Sequence, residues 1–275
     1  MVAIIWGGVG MFENYSGATR IIPILGHPIA QAKSPFGMTK GLAARGADAI
    51  VVPIDVAPEG VHALLTALDG VKNLAGVIAT VPHKFALCAY AESKSDRARF
   101  FSSANVMRRD HSGRWHADML DGLGFVRSIR NAGGSIPGKR VLLVGAGGAG
   151  GSIACELLNA GASAIAVHDV DHVRRDRLIS RLNESRPGSS EQGTGSPRGF
   201  DIVINASPLG MRPDDPAPVD CSGLTPSMFI GDVVTAPDTT SLLRAASAVG
   251  CASCSGHDMF DCTRDLMLDF FLEAG

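Results

Sequence analysis

The sequence predicts an α/β protein of two domains, on three observations. Short apolar, strand-like runs alternate with helix-like stretches, the pattern of βαβ units in a mainly parallel sheet. A length of 275 residues suits one large domain or two ordinary ones, and neither half repeats the other. The 33 glycines exceed the usual share of about 7%, which favours tight turns and close approach of backbone to ligand.

In chain order, strands are predicted at 21–25, 49–54 and 76–80 in the first half. Those of the second half are at 140–144, 164–168, 202–205 and 229–233. Each is a short aliphatic run bounded by turn formers. Between them, residues 35–44, 61–68, 148–159, 173–183 and 241–248 carry helix formers with apolar side chains three and four apart. The polar segment 186–198 (RPGSSEQGTGSPR) has no apolar period and reads as a mobile surface loop, and 213–218 as another.

Composition narrows the function classes. With 25 Lys+Arg against 27 Asp+Glu the net charge is −2, so nucleic acid is not an expected partner. The longest uncharged apolar run, 1–12, is short of the ~20 residues a membrane helix needs. It lacks the basic start and cleavage pattern of a signal peptide and reads as an N-terminal extension. Six scattered cysteines in a chain of this length fit reduced thiols in a cytoplasmic protein.

The most informative segment is 141–151, VLLVGAGGAGG. An apolar strand runs into Gly145, Ala146, Gly147, Gly148, Ala149 and Gly150, a G-x-G-x-x-G pattern, and a helical stretch follows. The first glycine permits the tight turn, the second lets backbone approach a pyrophosphate, and the third lets helix pack on strand. The helix N-terminal amides then face the phosphates. A doubly wound, Rossmann-like dinucleotide-binding domain is therefore expected.

Asp169 stands 24 residues after Gly145, at the end of the next strand. A carboxylate there accepts hydrogen bonds from the adenosine ribose and repels a 2′-phosphate, which predicts NAD over NADP. Its competing reading is a cap for the following helix, with Asp171 as rival.

Further segments resemble the shikimate/quinate dehydrogenase family in chain order, over about residues 17 to 275. They include GHPI followed by KSP (26–35), GVIATVPHK (76–84), SANV (103–106), DGLGF (121–125), NASPLGM (205–211) and the stretch from Asp232 through Leu243. The resemblance implies reversible oxidation of a ring hydroxyl of a cyclic hydroxy-carboxylate by a nicotinamide cofactor. It implies Lys84 and Asp121 as the catalytic pair, and Ser34, Thr80 and Asn105 as substrate contacts. It places Asn205, Ser207, Pro208, Met211 and Val233 near the nicotinamide, and Thr263 where the family has a substrate-contacting glutamine. A small-molecule substrate and a monomer or homodimer follow from it. Ala32, Ile78, Met119 and Thr263 depart from the family pattern, all on the substrate side. Lost polar partners penalise a polyhydroxylated ring, so the substrate is expected to differ from shikimate itself.

The chemistry of the pair stands on its own terms. Hydride transfer requires a base within reach of the substrate hydroxyl, and a lysine oriented by a carboxylate supplies one. Either residue could hold the proton. The bland readings are an exposed Lys84 at a helix start, Asp121 as a helix cap, and Ser34 as a cap ahead of Pro35.

Cys251, Cys254, His257 and Cys262 suffice in number for zinc, but the C-x-x-C reads as a late strand and turn, and no metal is expected. His83 is expected to face solvent. The apolar run Met259, Leu266, Phe270 and Phe271 is expected to pack onto the first domain. Residues 1–120 with 256–275 are expected to form the substrate domain and 121–255 the dinucleotide domain, with the site in the cleft between them. Two rival readings are a dehydrogenase of the same fold for a less polar substrate and a non-catalytic sensor of NAD and a metabolite.

Overall fold

The computed structural model describes residues 15–30 and 34–273. The expected N-terminal extension and Ala32 lie outside the described residues, as does the side chain of Ser34.

The first half contains β1 (Arg20–Gly26), α1 (Ser34–Ala44), β2 (Ala49–Asp55), α2 (Val61–Leu68) and β3 (Val77–Ala79). It continues with α3 (Lys84–Tyr90), β4 (Ser93–Lys94), α4 (Asp96–Phe101), β5 (Val106–Arg109), β6 (Trp115–Asp118) and α5 (Asp121–Asn131). Its sheet has the order β2-β1-β3-β5-β6-β4, parallel except where β5 runs antiparallel to β3 and β6.

The second half contains β7 (Arg140–Val144), α6 (Gly148–Asn159), β8 (Ala164–His168), α7 (His172–Ser185) and β9 (Ser190–Gln192). Then come β10 (Ile202–Asn205), β11 (Phe229–Asp232), α8 (Ser241–Val249), β12 (Ala252–Cys254) and α9 (Gly256–Leu272). The sheet is parallel throughout, in the order β12-β11-β10-β7-β8-β9. Counted from β7, this is the doubly wound order in which the winding reverses between the first and fourth strands. The crevice at that reversal, outside the carboxyl ends of β7 and β10, is where such sheets bind ligands.

Aliphatic side chains bury both faces of β7, β8 and β10, so these strands read as continuous apolar runs. The Ser/Gly-rich segment 186–198 is not wholly a loop. Its residues Ser190–Gln192 pair with β8 as the edge strand β9, because backbone bonding needs no apolar pattern. The C-x-x-C stretch forms β12, as its strand reading anticipates.

The halves are clamped by side chains that cross between them. Phe101 of α4 lies in the apolar cluster of Phe125, Ile153 and Leu178, and Arg181 donates to the Phe100 carbonyl at 2.8 Å. Helix α9 packs against α1 and α5. Its Leu266, Phe270 and Phe271 join the first-half cluster of Ile22 and Ile24, as expected, while Met259 packs on the second-half core instead. Among the described residues no helix is long and apolar enough to cross a membrane.

Candidate active site

Lys84 opens α3 immediately beyond β3. Thr80 donates its backbone N–H to the Leu25 carbonyl at 2.8 Å, and the Thr80 carbonyl in turn accepts from His83 N at 2.8 Å. His83 corrects the expectation of solvent exposure. It is 2% exposed, and its Nε2 donates to the Val56 carbonyl at 2.8 Å, tying the turn before Lys84 to the segment after β2.

Lys84 Nζ donates to Asp121 Oδ2 at 2.5 Å. Both side chains are largely buried, at 14% and 10% exposure. Asp121 is the first residue of α5 and does not cap it; its second oxygen accepts from Asn105 Nδ2 at 2.7 Å. Asn105 Oδ1 accepts from Leu120 N at 2.9 Å, so this amide holds the carboxylate as well as facing the cleft. Residues 37 positions apart in sequence thus converge, because β3 and β6 end, and β5 begins, at the same end of the first sheet, just before Lys84 and Asp121.

The glycine loop sits directly against this pair. Gly145 adopts φ 102°, and a Cβ there would lie 2.7 Å from the Ala206 carbonyl carbon. At Gly150 it would lie 2.0 Å from the Gly145 oxygen. Gly147 caps α6 with no side-chain hydrogen bond and opens on free space, so the first-turn amides remain for an anion. A Cβ on Gly148 would lie 3.8 Å from Lys84 Cδ.

A cleft of about 280 Å³ joins the two parts. Thr80, Lys84, Asn105 and Asp121 line it from the first half, and Ala149 and Val233 from the second. Thr263 also reaches it, but its hydroxyl donates to the Met259 carbonyl at 2.8 Å and packs on Gly124. In the loop 205–211, Asn205 Oδ1 accepts from Ser207 N at 3.1 Å and from Ser207 Oγ at 2.6 Å, so both residues shape the turn. The Pro208 carbonyl accepts from Met211 N at 3.2 Å, and the Met211 side chain is exposed. Among the described residues no group of three His, Cys, Asp or Glu is placed to hold a metal ion.

Sequence reasoning assigned no role to Asp232, at the end of β11. Its carboxylate is wholly buried and accepts from Asn205 Nδ2, Val234 N and Thr240 Oγ1, at 3.0, 3.0 and 2.7 Å. Burial raises its pKa above the ordinary carboxylate range, against the lowering effect of these three donors. An acid whose pKa is raised on folding stabilises the fold fully below its unfolded pKa, near about 4, and that stability is lost as pH rises through the folded value. Asp232→Asn should therefore lack this loss. The melting temperature of the variant relative to wild type should rise between pH 4 and 7 in paired thermal melts; a constant difference would contradict the assignment.

Both carboxylate oxygens of Asp169 are held by backbone amides. One oxygen accepts from Ala146 N at 2.7 Å and the other from Asp171 N at 2.8 Å, and the residue is buried. It braces the glycine loop, while Asp171 is the cap of α7.

The family model of the shikimate dehydrogenase substrate binding domain matches residues 24–107. A shikimate dehydrogenase (NADP(+)) of Rhodospirillum rubrum is 34% identical over 254 residues, covering 89% of this chain and 88% of the relative. Further curated relatives at 29–33% identity carry the same name. Among solved structures, quinate dehydrogenase from Corynebacterium glutamicum in complex with NAD is 26% identical, with a TM-score of 0.83 over 93% of this chain and 94% of that one. A shikimate dehydrogenase in complex with NADP+ shares the fold at a TM-score of 0.87 and 23% identity, over 94% of this chain and 91% of that one.

These findings overturn the expectation of NAD, since the curated relatives of higher identity are named for NADP(+). The sequence reading rested on Asp169, and in the structure each of its carboxylate oxygens accepts from a backbone amide, which braces the glycine loop. The sequence identity and coverage establish the wider relationship: the chain belongs to the shikimate dehydrogenase family.

Proposed function

We propose that this protein is an NADP(H)-dependent dehydrogenase of the shikimate/quinate type, acting on a ring hydroxyl of a cyclic hydroxy-carboxylate. The observation that carries the reading is the Lys84–Asp121 pair, 2.5 Å apart, lining one cleft with the start of the glycine-loop helix.

The residues fit a dinucleotide. The uncapped first turn of α6 and the open space over Gly147 suit a pyrophosphate, which a side chain at that position would obstruct. In the first turn of α7, Arg174 is half exposed and ion-paired at 3.2 Å with Asp171, the cap of that helix, and this guanidinium is the group assigned to a 2′-phosphate. When bound, the nicotinamide supplies the hydride acceptor or donor. The protein's own part is acid–base and positional. Lys84 Nζ is placed to exchange a proton with the substrate oxygen, Asp121 holds the amine in place, and Asn105 holds Asp121. Thr80, beside them in the cleft, is a hydrogen-bonding partner for the substrate, and Val233 closes the nicotinamide side. Residues 1–120 with 256–275 are assigned to substrate binding and 121–255 to the nucleotide.

An absorbance assay for NADPH across ring hydroxy acids, with NADP+ in excess, tests the reading. NADPH formation with at least one acid is the expected result. Binding of NADP+ and of the acids without any turnover would leave the sensor reading in its place.

A further inference from the structure

The hydrogen-bonding atoms of the cleft are unevenly distributed. Thr80, Lys84, Asn105 and Asp121 cluster at the end that holds the acid–base pair. The rest of the lining includes the polar Thr235 and His257, the latter bonded to Asp238 at 3.1 Å, and an apolar floor of Ile24, Ile78 and Met267 with Phe260. Ile24 and Ile78 are register partners on β1 and β3, so they present one face of the sheet. Both belong, with Met267 of α9, to a single packed cluster, and each is almost wholly buried. This floor is therefore rigid and carries no polar atom. Thr263, the nearest hydroxyl on α9, spends its proton on the Met259 carbonyl of its own helix.

A hydroxyl laid on such a floor gives up its water and receives no partner, whereas a methylene gains by burial. We propose that the cleft takes a ring hydroxy acid with one bare hydrocarbon edge, seated on Ile24, Ile78 and Met267, and discriminates against rings hydroxylated on that edge. This inference rests on the dehydrogenase reading above and narrows its substrate class. Ile78 is the specificity-determining residue, because it stands at the centre of the floor between β1 and β5.

The test compares 3-hydroxycyclohexane-1-carboxylate with shikimate and quinate on the intact protein with NADP+, reading both kcat/KM and equilibrium binding by calorimetry. The expected result is a preference for the deoxygenated acid of about tenfold or more, in turnover and in affinity. Ile78→Asn should shift that ratio toward the polyhydroxylated acids by about tenfold. Should the asparagine prevent folding, Ile78→Thr retains the branched shape and brings a hydroxyl to the same face, with a shift in the same direction. Shikimate or quinate equal to or better than the deoxygenated acid would overturn the proposal while leaving the dehydrogenase intact. Acids that bind in the expected order but yield no NADPH would support the floor and defeat the dehydrogenase. Failure of all three acids to bind would overturn the proposal outright.

Discussion

Lys84→Ala is expected to lower kcat by about 10²- to 10⁴-fold, the usual range for loss of a positioned proton-transfer group. The equilibrium affinity for NADP+ should change little, since the pyrophosphate is assigned to the first turn of α6. Of Lys84, it is the stem that comes near Gly148, where a Cβ would lie 3.8 Å from Lys84 Cδ and 3.2 Å from Ser103 Oγ. The variant also leaves Asp121 bonded to Asn105 without a counter-charge. The stability cost should fall below the roughly 3–5 kcal/mol of a fully buried broken pair, because the cleft admits water to this carboxylate. Lys84→Arg separates the two effects. Guanidinium keeps the charge but does not release its proton at working pH, so the melting temperature should recover while kcat stays low. Steady-state kinetics with calorimetric titration of NADP+ reads both. Turnover of Lys84→Ala within a few-fold of wild type would remove the lysine from the proton path.

The outcome bears on how far the sequence alone could lead. Strands β7, β8 and β10 match their expected bounds because burial on both faces leaves an unbroken aliphatic run. Helices α3 and α4, seven and six residues long, are too short for a 3.6-residue period to register. Strands β5 and β6 carry Arg108, Arg109 and His116 and pair through the backbone, so their composition hides them. In the site, the glycine loop was legible from its spacing and its strand–turn–helix context, whereas Lys84 and Asp121 came from the resemblance to the family, and the structure brings those two side chains together. Side-chain direction was not legible. Asp169 occupies the expected strand end but bonds Ala146 N, and Thr263 lies at the expected cleft but bonds its own helix. Asp232 went unassigned for the same reason, since its partners are Asn205 at the end of β10 and Thr240, the cap of the following helix.

The geometry of α5 makes the second large effect. Asp121 begins this helix, and the residues after it settle how closely α5 approaches its neighbours. A Cβ on Gly122 would lie 2.3 Å from the Ser152 carbonyl oxygen of α6, and one on Gly124 would lie 1.9 Å from Thr263 Oγ1 of α9. The first obstacle is backbone, and the Gly122 N–H already donates to Ser152 Oγ at 3.0 Å, so no rotamer change relieves it. Gly122→Ala must therefore push α5 away from α6, opening a core where Phe125 and Ile153 share one cluster. Helix propensity alone would favour alanine by about 0.5–1 kcal/mol, which makes the sign of the result decisive. Overpacking should win by roughly 2–3 kcal/mol, a fall in melting temperature of about 5–10 °C for a chain of this size. Because the displaced helix carries Asp121, kcat should fall with it. Gly147→Ala is the control: its Cβ meets open space at φ −73°, so the melting temperature should hold while NADP+ affinity drops. A Gly122→Ala protein at least as stable as wild type would mean that the close α5–α6 contact is not what sets the position of Asp121.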